Sequence, residues 1–306
     1  MKKLIYTLLI TFISVSAYSQ SEAIYTFNLF NQLNFNPAYA GSKEVLDVGL
    51  IYRNQWWSGI DGAPKNLNLY GHMPFAKRTS GIGLNILNDK IGLDRVLSVA
   101  LDYAYRIRFN KDNVLALGLG GRIENARTDW GQINDGVDPN DPEFGNGDVV
   151  SKSTFNVGPG VYFKNRKFYL GASLPRMLAN SLYNDRDQFS GKVNTWFVQG
   201  GLTIPLGENV ELLPNLQARI NPNAPFDLDA NLNVMFFDAF MVGAMYRLDD
   251  SIDGLFVYQF KNGFRLGAAI DFTLSELKQV TTGSFELMAG YTFPCEDCKI
   301  KSLRYF

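Results

Sequence analysis

Apolar and polar residues alternate with a period of two along most of this chain, the mark of strands whose two faces meet different surroundings. Between Glu44 and Arg53, Leu46, Val48, Leu50 and Tyr52 share one face, while Asp47, Gly49 and Arg53 share the other. Further on, Leu97, Val99, Leu101, Tyr103, Tyr105 and Ile107 oppose Asp94, Ser98, Asp102, Arg106 and Arg108. Near the middle, Phe226, Leu228, Ala230, Leu232, Val234 and Phe236 oppose Asp227, Asp229, Asn231 and Asn233. The pattern predicts strands near 44–53, 66–75, 80–88, 92–107, 113–125, 153–164, 167–174, 193–205, 209–220, 226–236, 238–247, 253–260, 263–273 and 284–293. Most have the roughly 9–11 residues that a tilted strand needs to cross a bilayer.

The connections are sorted. With both chain ends on one side, the turns on that side read FAKRT, RFNKDN, KNRK, PLGEN, FFD and KNG. The other side carries 54–65, 126–152, 175–192 and 274–283, which are mostly long. Outer-membrane barrels place short turns in the periplasm and longer loops outside. A secreted β-sandwich also alternates, but it has no reason to sort its loops. The predicted fold is therefore all-β: a transmembrane antiparallel β-barrel of about 14 strands over 44–293, with Asp102, Arg106, Asp227, Asp229 and Arg265 facing the lumen.

Composition agrees, with 14% aromatic and only 19% charged residues. Trp56, Trp57, Tyr103, Tyr105, Trp196, Tyr246, Tyr258, Tyr291 and Phe293 fall near strand ends, where interfacial girdles form. The balance of 29 basic against 30 acidic residues argues against a nucleic-acid partner.

The start of the chain reads as a signal peptide over residues 1–19, with Lys2 and Lys3, an apolar stretch from Leu4 to Val15, and cleavage after Ser19. That stretch is shorter than the roughly 20 residues of a spanning helix. Residues 20–43 are predicted to form a plug. Phe27, Phe30 and Leu33 recur at three-residue spacing, as on one face of a short helix, and Pro37 then stops it. Asn36, Pro37 and Tyr39 belong to the turn feeding the first strand, and the segment is expected in or across the periplasmic mouth. Residues 294–306 read as a periplasmic tail, with Cys295 and Cys298 as its pair of thiols.

Catalytic chemistry is hard to place. The sole histidine, His72, lies within a predicted strand beside Gly71 and Met73, and no GxSxG setting for a nucleophile occurs. The expectation is no enzyme and no metal. The loop 126–152 carries Asp129, Asp135, Asp138, Asp141, Glu143 and Asp148, oxygen donors of the kind calcium takes. It lacks EF-hand spacing, and turn chemistry alone accounts for its Asp-Gly, Asp-Pro and Asn-Gly pairs, which favours a solvated loop or partner surface over a calcium site.

Several segments carry a family resemblance: NPAYAGS (36–42), YRNQWWSGIDGAPKNLNLYGHMPF (52–75), GIGLNILNDKIG (81–92), LDYAYRI (101–107), DPNDPEFGN (138–146) and the terminal RYF. In these the chain resembles the PorP/SprF family, outer-membrane proteins associated with the type IX secretion system of Bacteroidetes. Phe285 stands where that family usually has histidine. The resemblance implies an outer-membrane component that supports export or surface attachment of a secreted partner, such as an adhesin, by binding its C-terminal domain. It also implies contact with other secretion components, besides the surrounding lipid, and links the chain to gliding motility. The candidate partner-binding residues are Trp56, Trp57, Ile60 and Asp61 in the first outer loop and Trp130, Asp138, Asp141 and Phe144 in the third. The alternative is a transporter of the fatty-acid-transporter type, for small or apolar solutes.

Overall fold

The computed structural model describes residues 24–57, 60–130, 149–178, 194–222 and 224–293. Fifteen strand segments form one antiparallel sheet: β1 (Asp47–Asn54), β2 (Lys65–Phe75), β3 (Ser80–Ile91), β4 (Asp94–Arg108), β5 (Val114–Asp129), β6 (Val149–Lys164), β7 (Phe168–Ser173), β8 (Trp196–Leu202), β9 (Ile204–Pro205), β10 (Val210–Ile220), β11 (Asp227–Phe236), β12 (Phe240–Arg247), β13 (Ser251–Gln259), β14 (Phe264–Thr273) and β15 (Gly283–Thr292). β8 and β9 are one crossing interrupted at Thr203, and both pair with β10. Each crossing is hydrogen-bonded to its sequence neighbours, and β1 also pairs with β15, from Asp47 opposite Thr292 to Asn54 opposite Phe285. The result is a closed barrel of 14 strands without a free edge.

Closure explains the alternation. The outward row of β4 and β5 leaves Leu101 66% and Leu119 59% exposed, an arrangement that only an apolar surrounding makes favourable. No helix among the described residues is long and apolar enough to cross a membrane. The inward row carries the buried polar set, including Asp102, Arg106, Asp227, Asp229 and Arg265.

Two elements differ from the sequence reading. β5 and β6 stay paired out to Asp129 and Val149, so the 126–152 connection is shorter at both ends than predicted, and Asp129 lies on the sheet. The stretch expected to be a short helix is instead three separate 3-10 turns, Thr26–Leu29, Gln32–Asn34 and Pro37–Tyr39. Phe27 and Leu33 fall in different turns and Phe30 lies between them, so their three-residue spacing does not mark one continuous helical face. Asn28, Asn31, Asn34 and Asn36 offer side-chain hydrogen bonds that compete with an α-helical backbone.

Candidate functional site

Residues 24–43 fill the lumen, and almost all of them are buried. They run from the short-turn mouth of the barrel, where residues 41–44 join β1, to its long-loop half, where Thr26 and Asn28 lie. By the rule for outer-membrane barrels these ends are periplasmic and extracellular. The plug segment thus traverses much of the barrel rather than covering only the periplasmic mouth.

At that mouth the chain turns through Glu44, whose φ of +63° is a left-handed conformation. Its carboxylate accepts hydrogen bonds from Arg108 at 2.7 Å and Arg106 at 3.2 Å. Burial would raise this carboxyl, but Lys164, Arg106 and Arg108 hold it below its ordinary value. Arg106 also donates to the Gly41 carbonyl at 2.7 Å, and Lys164 donates to that of Ser42 at 2.5 Å. The adjacent Lys43 ammonium lies 3.0 Å from Asp47, which Arg265 approaches at 3.4 Å. Burial and repulsion from Arg265 lower Lys43 to about 8, against the pull of Asp47.

An ammonium with a depressed folded-state pKa holds fewer protons when folded than when unfolded. Stability therefore rises with pH between about 8 and the unfolded value near 10.4. Urea unfolding in detergent is expected to show this rise in the intact chain and to lose it in Lys43→Met.

At the same level, Gly41 N–H donates to His72 Nδ1 at 3.2 Å, and the Tyr39 ring meets His72 and Tyr162 edge-on at 5.1 and 5.4 Å. His72 thus supports the plug at Gly41 and Tyr39. Asn36 caps the third 3-10 turn: its Oδ1 accepts from Ala38 N–H at 3.0 Å and its Nδ2 donates to the Val161 carbonyl at 3.0 Å. Asn36→Ala is expected to cost about 1 kcal/mol, the usual worth of such a cap, read as a lower unfolding midpoint. The Pro37-Ala38 backbone lies so close to β5 that a Cβ at Gly118 would collide with it. Arg265 sits over the Phe30 ring, 5.4 Å from its centroid. Leu33 packs against Gly83.

The long-loop half holds a buried charge network that anchors the start of the plug. Glu286 accepts the backbone N–H groups of Thr26 at 2.6 Å and Phe27 at 3.0 Å. Arg53 donates to Glu286 and to Asp271, each at 2.6 Å. Thr26 Oγ1 donates to Asp253 at 2.8 Å, and Asn28 Nδ2 to Asp229 at 3.2 Å. Arg219 bridges Asp227 and Asp229, and Arg247 pairs with Asp229 at 3.0 Å.

The structure therefore brings Phe27, Phe30, Leu33, Asn36, Pro37 and Tyr39 together inside the barrel, where the same segment meets the wall through Arg265 over Phe30, Arg106 at Gly41 and Asp229 at Asn28. Asp227 joins them through Arg219. Asp102 is buried beside Gly120, in a small cavity that Pro37 also lines. Sequence reasoning did not link Glu44, Arg53, Arg247, Asp253, Asp271 or Glu286 to the plug. For all but Glu44, which lies in the turn before β1, the signal was a charge on the inward row of an alternating strand, which places a residue in the lumen without saying what it meets.

Outside the lumen, the first outer loop is tied down. Trp56 N–H donates to Ser284 Oγ at 3.2 Å, and Trp57 N–H to the Gly283 carbonyl at 3.2 Å. Trp57 meets Phe285 edge-on yet remains 55% exposed, Asp61 is exposed, and Trp56 and Ile60 are half-buried. Trp130 is half-buried at the end of β5. Asp138, Asp141 and Phe144, most of the calcium candidates, the signal peptide and the tail with Cys295 and Cys298 lie outside the described residues. Among the described residues no cluster of His, Cys, Asp and Glu forms a metal site.

Solved structures with this architecture are outer-membrane proteins. CymD, described as a monoaromatic hydrocarbon channel, has a TM-score of 0.54 at 11% identity, covering 89% of this chain and 93% of its own. The TodX deltaS2S3 mutant, also described as such a channel, has a TM-score of 0.51 at 11% identity, covering 89% and 95%. Omp33 of Acinetobacter baumannii has a TM-score of 0.50 at 8% identity, covering 83% and 100%. At such identities the likeness concerns the fold, that of an outer-membrane β-barrel. No curated protein matches the chain. The family described as type IX secretion system membrane protein PorP/SprF matches residues 17–291, almost the whole barrel with its plug. The chain therefore belongs to the PorP/SprF family of type IX secretion system membrane proteins.

Proposed function

We propose that this barrel serves type IX secretion as a closed docking component. It supports export or surface attachment of a secreted partner, such as an adhesin, by binding that partner's C-terminal domain at its outer loops. The observation that carries this reading is the lumen filled by residues 24–43, which leaves the rim rather than the channel as the working surface. The ordered first loop supports it further. Trp57 is a large aromatic held by its backbone and half free of contact, the form that interface anchors take. Contact with other secretion components follows from the family.

The test is affinity purification from the outer membrane in mild detergent, followed by identification of what co-purifies. A secreted protein held through its C-terminal domain is expected. Trp57→Ala is expected to reduce its recovery, with a hot-spot loss of about 2 kcal/mol in affinity. Normal surface display of every secreted protein after deletion of the gene would sink the proposal. The transporter reading rests on the polar lumen residues, and a large open pore formed by the pure protein in a planar bilayer would favour it.

A further inference from the structure

The outer wall of the barrel is not uniformly convex. Across β12–β15 and β1 lies a groove of about 710 Å³, lined almost entirely by apolar atoms. Its floor comes from two small outward residues. Ala268 on β14 lies between Phe256 of β13 and Leu287 of β15. Ala289 on β15 lies between Leu266 of β14 and Leu50 of β1. Two methyl groups set diagonally among large neighbours leave a depression with walls on both sides.

We propose that this groove is a binding site for an acyl chain of a phospholipid in the periplasmic leaflet. Its depth argues for that leaflet. At one end it opens beside Phe240, Tyr258 and Phe260, which border the short turns at 237–239 and 260–263, the periplasmic rim. There the aromatics pack closely: Phe240 and Tyr258 have ring centroids 4.7 Å apart, and Tyr258 and Phe260 4.6 Å. Such clusters occupy the level of the headgroups. Lys261, exposed in the turn just beyond, supplies a cation on the side where a phosphate sits. The other end reaches Leu287, about midway along β15, and Tyr52, in the long-loop half of β1. A polymethylene chain in the groove touches protein on three sides rather than one and gains dispersion contacts that a flat wall does not offer.

The test uses the full chain in vesicles containing a phosphatidylethanolamine with a photo-reactive diazirine near the middle of one acyl chain. After irradiation, labelled peptides are mapped by mass spectrometry. Labelling is expected to be several-fold higher on the peptides around Phe256, Ala268 and Ala289 than on the opposite wall, around Leu101 and Leu119. The double variant Ala268→Phe, Ala289→Phe fills the floor and is expected to lower that labelling to the level of the rest of the circumference. Heat-dependent migration in gels checks that the variant is folded. If it does not fold, the map of the unaltered chain decides alone. Even labelling around the barrel overturns the proposal, as do unchanged labelling in the folded double variant and a co-purified protein cross-linked on this face.

Discussion

A barrel carrying Gly118→Val is expected to conduct ions in a planar bilayer, whereas the intact chain is expected to stay closed. The side chain added at Gly118 would occupy the space of the Ala38 backbone. Overpacking of this kind costs about 1–3 kcal/mol, and the plug yields more readily than β5, which is paired on both sides from end to end. Displacing residues 36–39 also breaks the Asn36 cap and its bond to Val161. Gly254→Val is the control: nothing lies within 4 Å of a Cβ there, so the same gain in strand propensity brings no collision. Conductance steps are expected from the first variant only. A sealed Gly118→Val barrel with native heat-dependent migration would mean that closure does not depend on this seat.

Arg53→Ala should be the most destabilising single substitution at the other end of the plug. Arg53 is 2% exposed and is shared by Asp271 and Glu286, so its loss leaves two buried carboxylates without their cation. Breaking a buried pair from one side costs about 3–5 kcal/mol. The effect reaches the plug, because Glu286 also holds the Thr26 and Phe27 amides. Arg53→Lys keeps a charge but cannot reach both carboxylates with a planar fork, and should fall between the parent and the alanine variant. The measurement is the urea midpoint of unfolding in detergent micelles, together with protease cleavage within residues 24–43. An alanine variant with a parental midpoint would refute this account of the network.

The barrel was legible because a period of two along so many strands came together with connections sorted into a short and a long side, which a sandwich has no reason to show. Leu97, Val99, Leu101 and Tyr103 could be assigned outward, and Asp102 and Arg106 inward, without any knowledge of partners. The plug was legible only as a segment with an apolar set at three-residue spacing. Its 3-10 geometry depends on wall groups such as Glu286, which accepts two of its free N–H groups from a position 260 residues away in the chain. Likewise, Gly118 read as one more glycine in a glycine-rich strand. Its role comes from the backbone that passes against it, and no local pattern encodes that approach.

The length of that connection has a consequence for biogenesis. Thr26 precedes every strand of the barrel, while Glu286 lies on the last strand to be made. Because long-range contacts form slowly, the segment stays unanchored at this end until β15 exists. The same strand zips against β1 and removes the last open edge. Sealing of the lumen and loss of the free edge therefore coincide, and a truncated chain achieves neither. One strand, β15, thus carries both the carboxylate that ties the start of the plug and the edge that closes the barrel.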